Sequence, residues 1–164
     1  MQLKLEPLLA SQMEAIIDLI ARAMNLDEAA WARQTLAFYF DCLEKHIDPA
    51  REYYVMRKEQ HAIGVVGLHH YRWGPPQNVW LAWFAVHPDH QGQGHARAML
   101  ESIEAHARER GYRQMYIESY ASPEFEKALG FYQYMGYRPA GYIDHYLSDG
   151  SQMRVLHKPL FDSD

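Results

Sequence analysis

Residues 87–100 read His-Pro-Asp-His-Gln-Gly-Gln-Gly-His-Ala-Arg-Ala-Met-Leu, HPDHQGQGHARAML. An apolar run, WLAWFAV at 80–86, precedes them, and Ala96, Met99, Leu100, Ile103 and Ala107 then recur at helical spacing. Glycine costs backbone entropy, so two glycines at a strand-to-helix junction mean that the backbone approaches something closely, either another element or a ligand. Free N–H groups at a helix N-terminus, at the positive end of the dipole, bind phosphate. Gly92, Gly94 and Ala96 are the residue types that leave a large anion room there. Two common phosphate loops do not fit. A dinucleotide fingerprint needs Gly or Ala where Arg97 stands, and a P-loop needs Gly-Lys-Ser/Thr.

Outward from this loop the chain reads as one domain, residues 1–164. Residues 2–6 alternate as a strand. Met13, Ile16, Ile17, Ile20 and Met24 form a helical stripe, with Asn25 at its exit. Asp27 is the expected cap of a second helix whose inner face is Ala32, Leu36, Tyr39, Phe40 and Leu43. Strands are expected at 52–57, 62–73 and 78–86, the last apolar on both faces and hence central. A helix from the glycine loop to Gly111 and a strand at 112–118 complete a right-handed crossover. Ser122-Pro123 signals another helix start, with Phe125, Ala128, Leu129 and Tyr132 on its apolar stripe. Strands at 137–146 and 152–158 flank a turn at Asp149-Gly150. The order defines a mixed α/β fold: a mostly antiparallel central sheet with one parallel strand-helix-strand crossover, flanked by helices.

Composition narrows the partners. Hydrophobic residues make up 48% of the chain and the net charge is −5, with no long Lys/Arg run. Nucleic acid and anionic membranes, which need a concentrated basic surface, are therefore not expected partners. No apolar stretch is long enough to span a bilayer and no secretory signal is visible, so a cytoplasmic location is expected. The single cysteine, Cys42, is expected to be a packed thiol in a reducing compartment.

Gln91-Gly-Gln-Gly94-His-Ala96 matches the pattern [RQ]-x-x-G-x-[GA], and Ala128-Leu-Gly-Phe131-Tyr132-Gln-Tyr-Met-Gly136-Tyr137 matches A-x-x-F-Y-x-x-x-G-[FY]. On both segments the sequence resembles the GNAT superfamily of acyl-CoA-dependent N-acetyltransferases, in detail over residues 78–158 and more loosely before them. The resemblance implies acetyl-CoA as co-substrate, its pyrophosphate on the backbone of Gln91, Gly92, Gln93, Gly94, His95 and Ala96, with Arg97 and Phe131 beside it. Its pantetheine arm would meet the backbone of Phe84, Ala85 and Val86. Tyr132 falls on the tyrosine whose hydroxyl protonates the departing sulfur.

The implied reaction moves an acetyl group to a primary amine of a small molecule or peptide by direct attack in a ternary complex. A lysine-like amine costs about 4.6 kcal/mol to neutralise at pH 7, so a base matters more than an acid. Many relatives carry a glutamate in the strand before the loop, yet residues 79–86 hold no ionisable group. Phe125 also stands where many relatives have a cofactor-holding asparagine. Glu118 is the first candidate base, followed by His87 and the pair His69-His70. His87, His90 and His95 match no zinc spacing, so no metal is expected. Asp144, His145, Tyr146 and Asp149 are candidates to line the acceptor pocket, and Trp31, Tyr39, Trp73, Trp80 and Trp83 suggest a partly apolar cleft. A homodimer is a further expectation. The competing reading is a non-catalytic acyl-CoA-binding sensor.

Overall fold

The computed structural model describes residues 4–162. Its elements run β1 (Leu5–Pro7), α1 (Met13–Ala23), α2 (Leu26–Glu44), β2 (Arg51–Lys58), β3 (His61–His69), β4 (Asn78–Val86), α3 (His95–Glu109), β5 (Gln114–Tyr120), α4 (Glu126–Tyr134), β6 (Arg138–Ile143) and β7 (Met153–Pro159). The strands form one sheet in the order β1-β2-β3-β4-β5-β7-β6. The β4–β5 pair is parallel and the other neighbours are antiparallel. The apolar run 78–86 is thus the central strand, as its two-faced hydrophobicity requires.

Strand periodicity divides the core in two. Tyr53, Val55, Val65 and Ala82 turn toward α1 and α2, where Ile16, Ile20 and Leu36 meet them. Their neighbours Val66, Leu68, Val79 and Leu81 turn to the opposite face and pack with Met99, Leu100 and Ile103 of α3 and Leu129 and Tyr132 of α4. Each fully buried aliphatic side chain contributes about 1.5–3 kcal/mol. In the second layer lies Glu104, only 3% exposed. It accepts from the Tyr137 hydroxyl at 3.0 Å and from Lys158 Nζ at 3.0 Å on both oxygens, fastening α3 to β7.

Several boundaries differ from the sequence expectation. Asn25, not Asp27, caps α2: its side chain accepts from Glu28 N at 2.8 Å. Leu43 is exposed, and Glu28 and Cys42 are buried instead. β3 stops at His69 because β2 begins at its partner Arg51, leaving 70–77 as a loop. Ser122-Pro123 opens a short 3-10 turn, Pro123–Phe125, before α4 starts at Glu126, and the Ser122 side chain caps nothing. β5, β6 and β7 lie within two or three residues of expectation. Of the strand expected at 2–6, residues 2 and 3 lie outside the described residues. No helix among the described residues is long and apolar enough to cross a membrane.

Candidate functional site

β4 and β5 pair only through Asn78–Gln114, Val79–Met115 and Trp80–Tyr116. Beyond Trp80 the strands separate, and β4 keeps its partner on the other side, β3, as far as Val86. Trp83 sits at φ +40°, where two β4 residues face one residue of β3. Such a bulge bends the strand and increases its twist. The edge of β4 from Leu81 to Val86 therefore faces a gap in the middle of the sheet.

A cleft of about 810 Å³ runs through that gap. Gly92, Gly94, Ala96 and Arg97 line it at the α3 end, and Phe131 and Tyr132 of α4 form a wall. On the opposite face the lining comes from Glu28, Trp31, Trp80, Glu118 and Tyr120. One opening thus joins a helix N-terminus on one side of the sheet to a group of carboxylates and aromatic rings on the other.

The loop keeps that helix terminus bare. Gly94 is the residue before α3, at φ +83°, and no side chain caps the helix. Gly92 is also left-handed, at φ +72°, and a Cβ on either glycine would meet no protein atom within 4 Å. Close packing is therefore not why glycine stands here. Gly64 is the contrast: a Cβ there would lie 2.6 Å from the Met99 sulfur. The loop is held by Gln91, whose Nε2 donates to Val86 O at 2.9 Å. Gln93 and His95 belong to the loop and first turn but do not line the cleft.

Tyr132 is 6% exposed, and burial pushes its hydroxyl above the usual tyrosine range. Phe84 holds the ring from the β4 side at 5.9 Å and itself stacks on Phe131 at 6.0 Å. Glu118 stands exposed at the mouth, where the cleft walls nevertheless raise its carboxyl pKa and the Tyr120 hydroxyl opposes that rise.

Other candidates fall elsewhere. His69 lines the cleft, but burial, then Arg51 and His70, lower its pKa to about 4, too low for a proton acceptor near neutrality. His70 and His87 do not line it. Tyr146 stacks on the lining residue Tyr120, but Tyr146 itself, like Asp144, His145 and Asp149, lies outside the lining. Trp31, Trp80 and Trp83 do line the cleft, Tyr39 is a core residue, and Trp73 is 95% exposed. Among the described residues no group of three or more His, Cys, Asp and Glu side chains is arranged to hold a metal ion.

Sequence reasoning missed Glu28. It is 5% exposed at the inner end of the acidic side. Burial raises its pKa to about 7, helped by the charges of Glu118, Asp27 and Glu124. Asn-x-x-Glu at 25–28 was the available signal, since it is the spacing of a capping box. Only half of that box forms, and the carboxylate faces the cleft rather than the backbone.

The fold and the bare-loop crossover are those of an acetyltransferase. The profile of the Acetyltransferase (GNAT) family matches residues 13–137, and the chain belongs to that family. No curated protein is significantly similar to it in sequence. Among solved structures it resembles a GNAT-family protein from Desulfovibrio desulfuricans, at TM-score 0.85 and 14% identity over 97% of this chain and 99% of that one. It resembles the ribosomal-protein-S18-alanine N-acetyltransferase of Escherichia coli at TM-score 0.75 and 19% identity, covering 98% and 96%. A GNAT family acetyltransferase from Elizabethkingia anophelis with acetyl-CoA bound superimposes at TM-score 0.74 and 17% identity, covering 96% and 98%.

Proposed function

We propose that this protein is an acetyl-CoA-dependent N-acetyltransferase that acylates a primary amine of a small molecule or peptide within a ternary complex. The observation that carries the reading is the cleft through the sheet, with an uncapped helix terminus at one end and proton-handling side chains at the other. Bound acetyl-CoA supplies an activated acyl group on a thiol leaving group.

The residues present suit that molecule. Backbone amides from Gln91 to Ala96, with open space over Gly92 and Gly94, are the cradle for a diphosphate. The unpaired β4 edge at Phe84, Ala85 and Val86 offers backbone groups to an extended amide-bearing arm, as in strand addition. Phe131 and Phe84 give that arm an apolar wall, and Arg97 stands at the mouth.

Tyr132 holds a proton at its hydroxyl throughout the physiological range, because burial opposes the phenolate. It is the donor that a departing thiolate requires. Glu118, across the gap, attracts the acceptor as an ammonium ion. The E. coli relative, by its name, acts on a ribosomal-protein alanine, so a peptide amine is compatible with the fold. Cys42, buried and single in the sequence, suits a reducing cytoplasm.

The test is calorimetry with acetyl-CoA followed by free-thiol release over a panel of amines. Binding together with amine-dependent release supports the proposal. Binding without release on any amine leaves an acyl-CoA sensor, and no binding ends both readings.

A further inference from the structure

The acceptor side of the cleft contains an unanswered negative charge. Glu28, Glu118 and Glu124 all line it. Glu124 accepts from Asn25 Nδ2 at 2.6 Å. Glu28, by contrast, has no ion-pair or hydrogen-bond partner for its carboxylate among the described residues; the residue is only 5% exposed, and its oxygens open onto the cleft rather than being sealed in the core. A buried, unpaired carboxylate costs stability unless something completes it.

We propose that Glu28 is the catalytic base: it receives the ammonium of the acceptor, held with Glu118, and takes one proton from it. This rests on the acetyltransferase reading above. It also gives a base to a chain whose β4 has no ionisable residue between Val79 and Val86.

The geometry is suited to the task. Glu28 projects from the first turn of α2, on the sheet face opposite Tyr132 and α4. An amine reaching the gap from the α2 side would meet Glu28 and Glu118 before the acyl carbon, and would leave Tyr132 free behind the sulfur. Trp31, Trp80 and Tyr120 flank the approach and favour a cation over their ring faces. In the step itself the nitrogen keeps its electron pair, one proton moves to a Glu28 oxygen, and the resulting carboxyl later releases it to water at the mouth.

Matching of proton affinities supports the assignment. An ordinary carboxylate, near 4.5, would take a proton from an amine near 10.4 with an unfavourable factor of about 10⁶. With Glu28 at about 7, that factor falls to about 10³. Burial supplies most of this rise, and three negative groups add to it: Glu118 on β5, Asp27 on α2 and Glu124 in the 3-10 turn. Arg51, His69, Arg97 and Lys127 also line the cleft, but none of them offsets the rise. The same charges select the acceptor class: a primary amine that arrives as a cation and carries no carboxylate beside the nitrogen.

The experiment combines a titration with kinetics. In ¹³C-carboxyl NMR of the ligand-free protein, Glu28 should titrate near neutrality and move down in Glu118→Gln. For the best amine of a panel containing phenethylamine, 1,4-diaminobutane and phenylalanine, Glu28→Gln should lower kcat/KM at pH 7 by about 10²–10³-fold. Acetyl-CoA affinity should stay within twofold, Glu28→Asp should recover part of the loss, and phenylalanine should be the poorest acceptor. The variant should regain rate toward pH 10, where the amine is neutral unaided, and should keep nearly full rate with hydrazine at pH 8–9. An ordinary Glu28 titration near 4.5, or an unmoved pH limb in an active Glu28→Gln enzyme, overturns the base alone. Wild-type protein that binds acetyl-CoA and acetylates no amine overturns the transferase reading and the base together.

Discussion

Trp80 and Tyr116 form the last register pair between the two parallel strands, with their rings 5.2 Å apart. The cleft through the sheet opens where that pair ends. Upstream, Val79 and Met115 are buried in a continuous sheet. Downstream, the strands diverge, and the bulge at Trp83 turns the β4 edge into the gap. Parallel strands joined through a helix need no tight hairpin, so they can part without breaking a turn. The site is a fault in the sheet stabilised on both sides: β3 holds β4, and β7 pairs with β5 along its whole length.

Gly94→Val tests the loop. A Cβ there would meet no protein atom within 4 Å, so the main folding cost is the left-handed backbone, about 1–2 kcal/mol. Acetyl-CoA affinity in calorimetry should fall at least tenfold, because the added methyl groups occupy the space over the amides. As a control, Gly130→Ala in α4 also meets open space, without a positive φ. It should stabilise the protein by about 0.5–1 kcal/mol and leave cofactor affinity alone. Equal affinities in the two variants would remove the loop from the binding site.

Tyr132→Phe should lower turnover by about 10²-fold with little change in acetyl-CoA affinity. Burial raises the hydroxyl pKa, so the acid form persists well above neutrality. The wild-type kcat profile should accordingly show no falling limb up to about pH 10. Unchanged turnover in the variant would reduce Tyr132 to a packing residue between Phe84 and Tyr137.

Glu104→Ala separates fold from function. The variant leaves the half-buried Lys158 ammonium without its carboxylate and frees the Tyr137 hydroxyl. Removing one partner of such a pair costs about 3–5 kcal/mol. Denaturant unfolding should register that loss, and the folded fraction should still bind acetyl-CoA normally. A loss below about 1 kcal/mol would mean that the cluster is solvated rather than structural.

The loop and helix terminus that form the proposed cofactor half are legible in the sequence because their signals are local. Glycines 92 and 94 next to a helical period announce a bare N-terminus, and Tyr132 follows Phe131 in one short segment. The acceptor half is assembled by tertiary geometry. Tyr71 and Trp73 favour strands and extend the expected β3 to residue 73, but its end is set by where β2 begins. Nothing in the sequence singled out Glu28, because Asn25 and Asp27 both suit a cap and only the folded chain shows which one caps. The resemblance implied backbone at Phe84 to Val86 open to the cofactor arm, but the bulge at Trp83 has no mark in the sequence WLAWFAV.

The unpaired charge at Glu28 should also appear as a stability cost of known sign. Its folded pKa, about 7, lies above the unfolded value near 4.5, so the folded chain holds a proton that the unfolded chain has released. Below pH 4.5 both states are protonated and the group contributes nothing. Between 4.5 and 7 stability declines as pH rises, and above 7 the full cost remains, at most roughly 3 kcal/mol. Glu28→Gln removes the charge while keeping the volume. It should therefore leave unfolding free energy unchanged at pH 4 and raise it by about 1–3 kcal/mol at pH 8, while impairing catalysis, as expected of a destabilised functional residue. Denaturant titrations at the two pH values decide the matter, and equal stability of the two proteins at pH 8 would show that the carboxylate is solvated in the folded state.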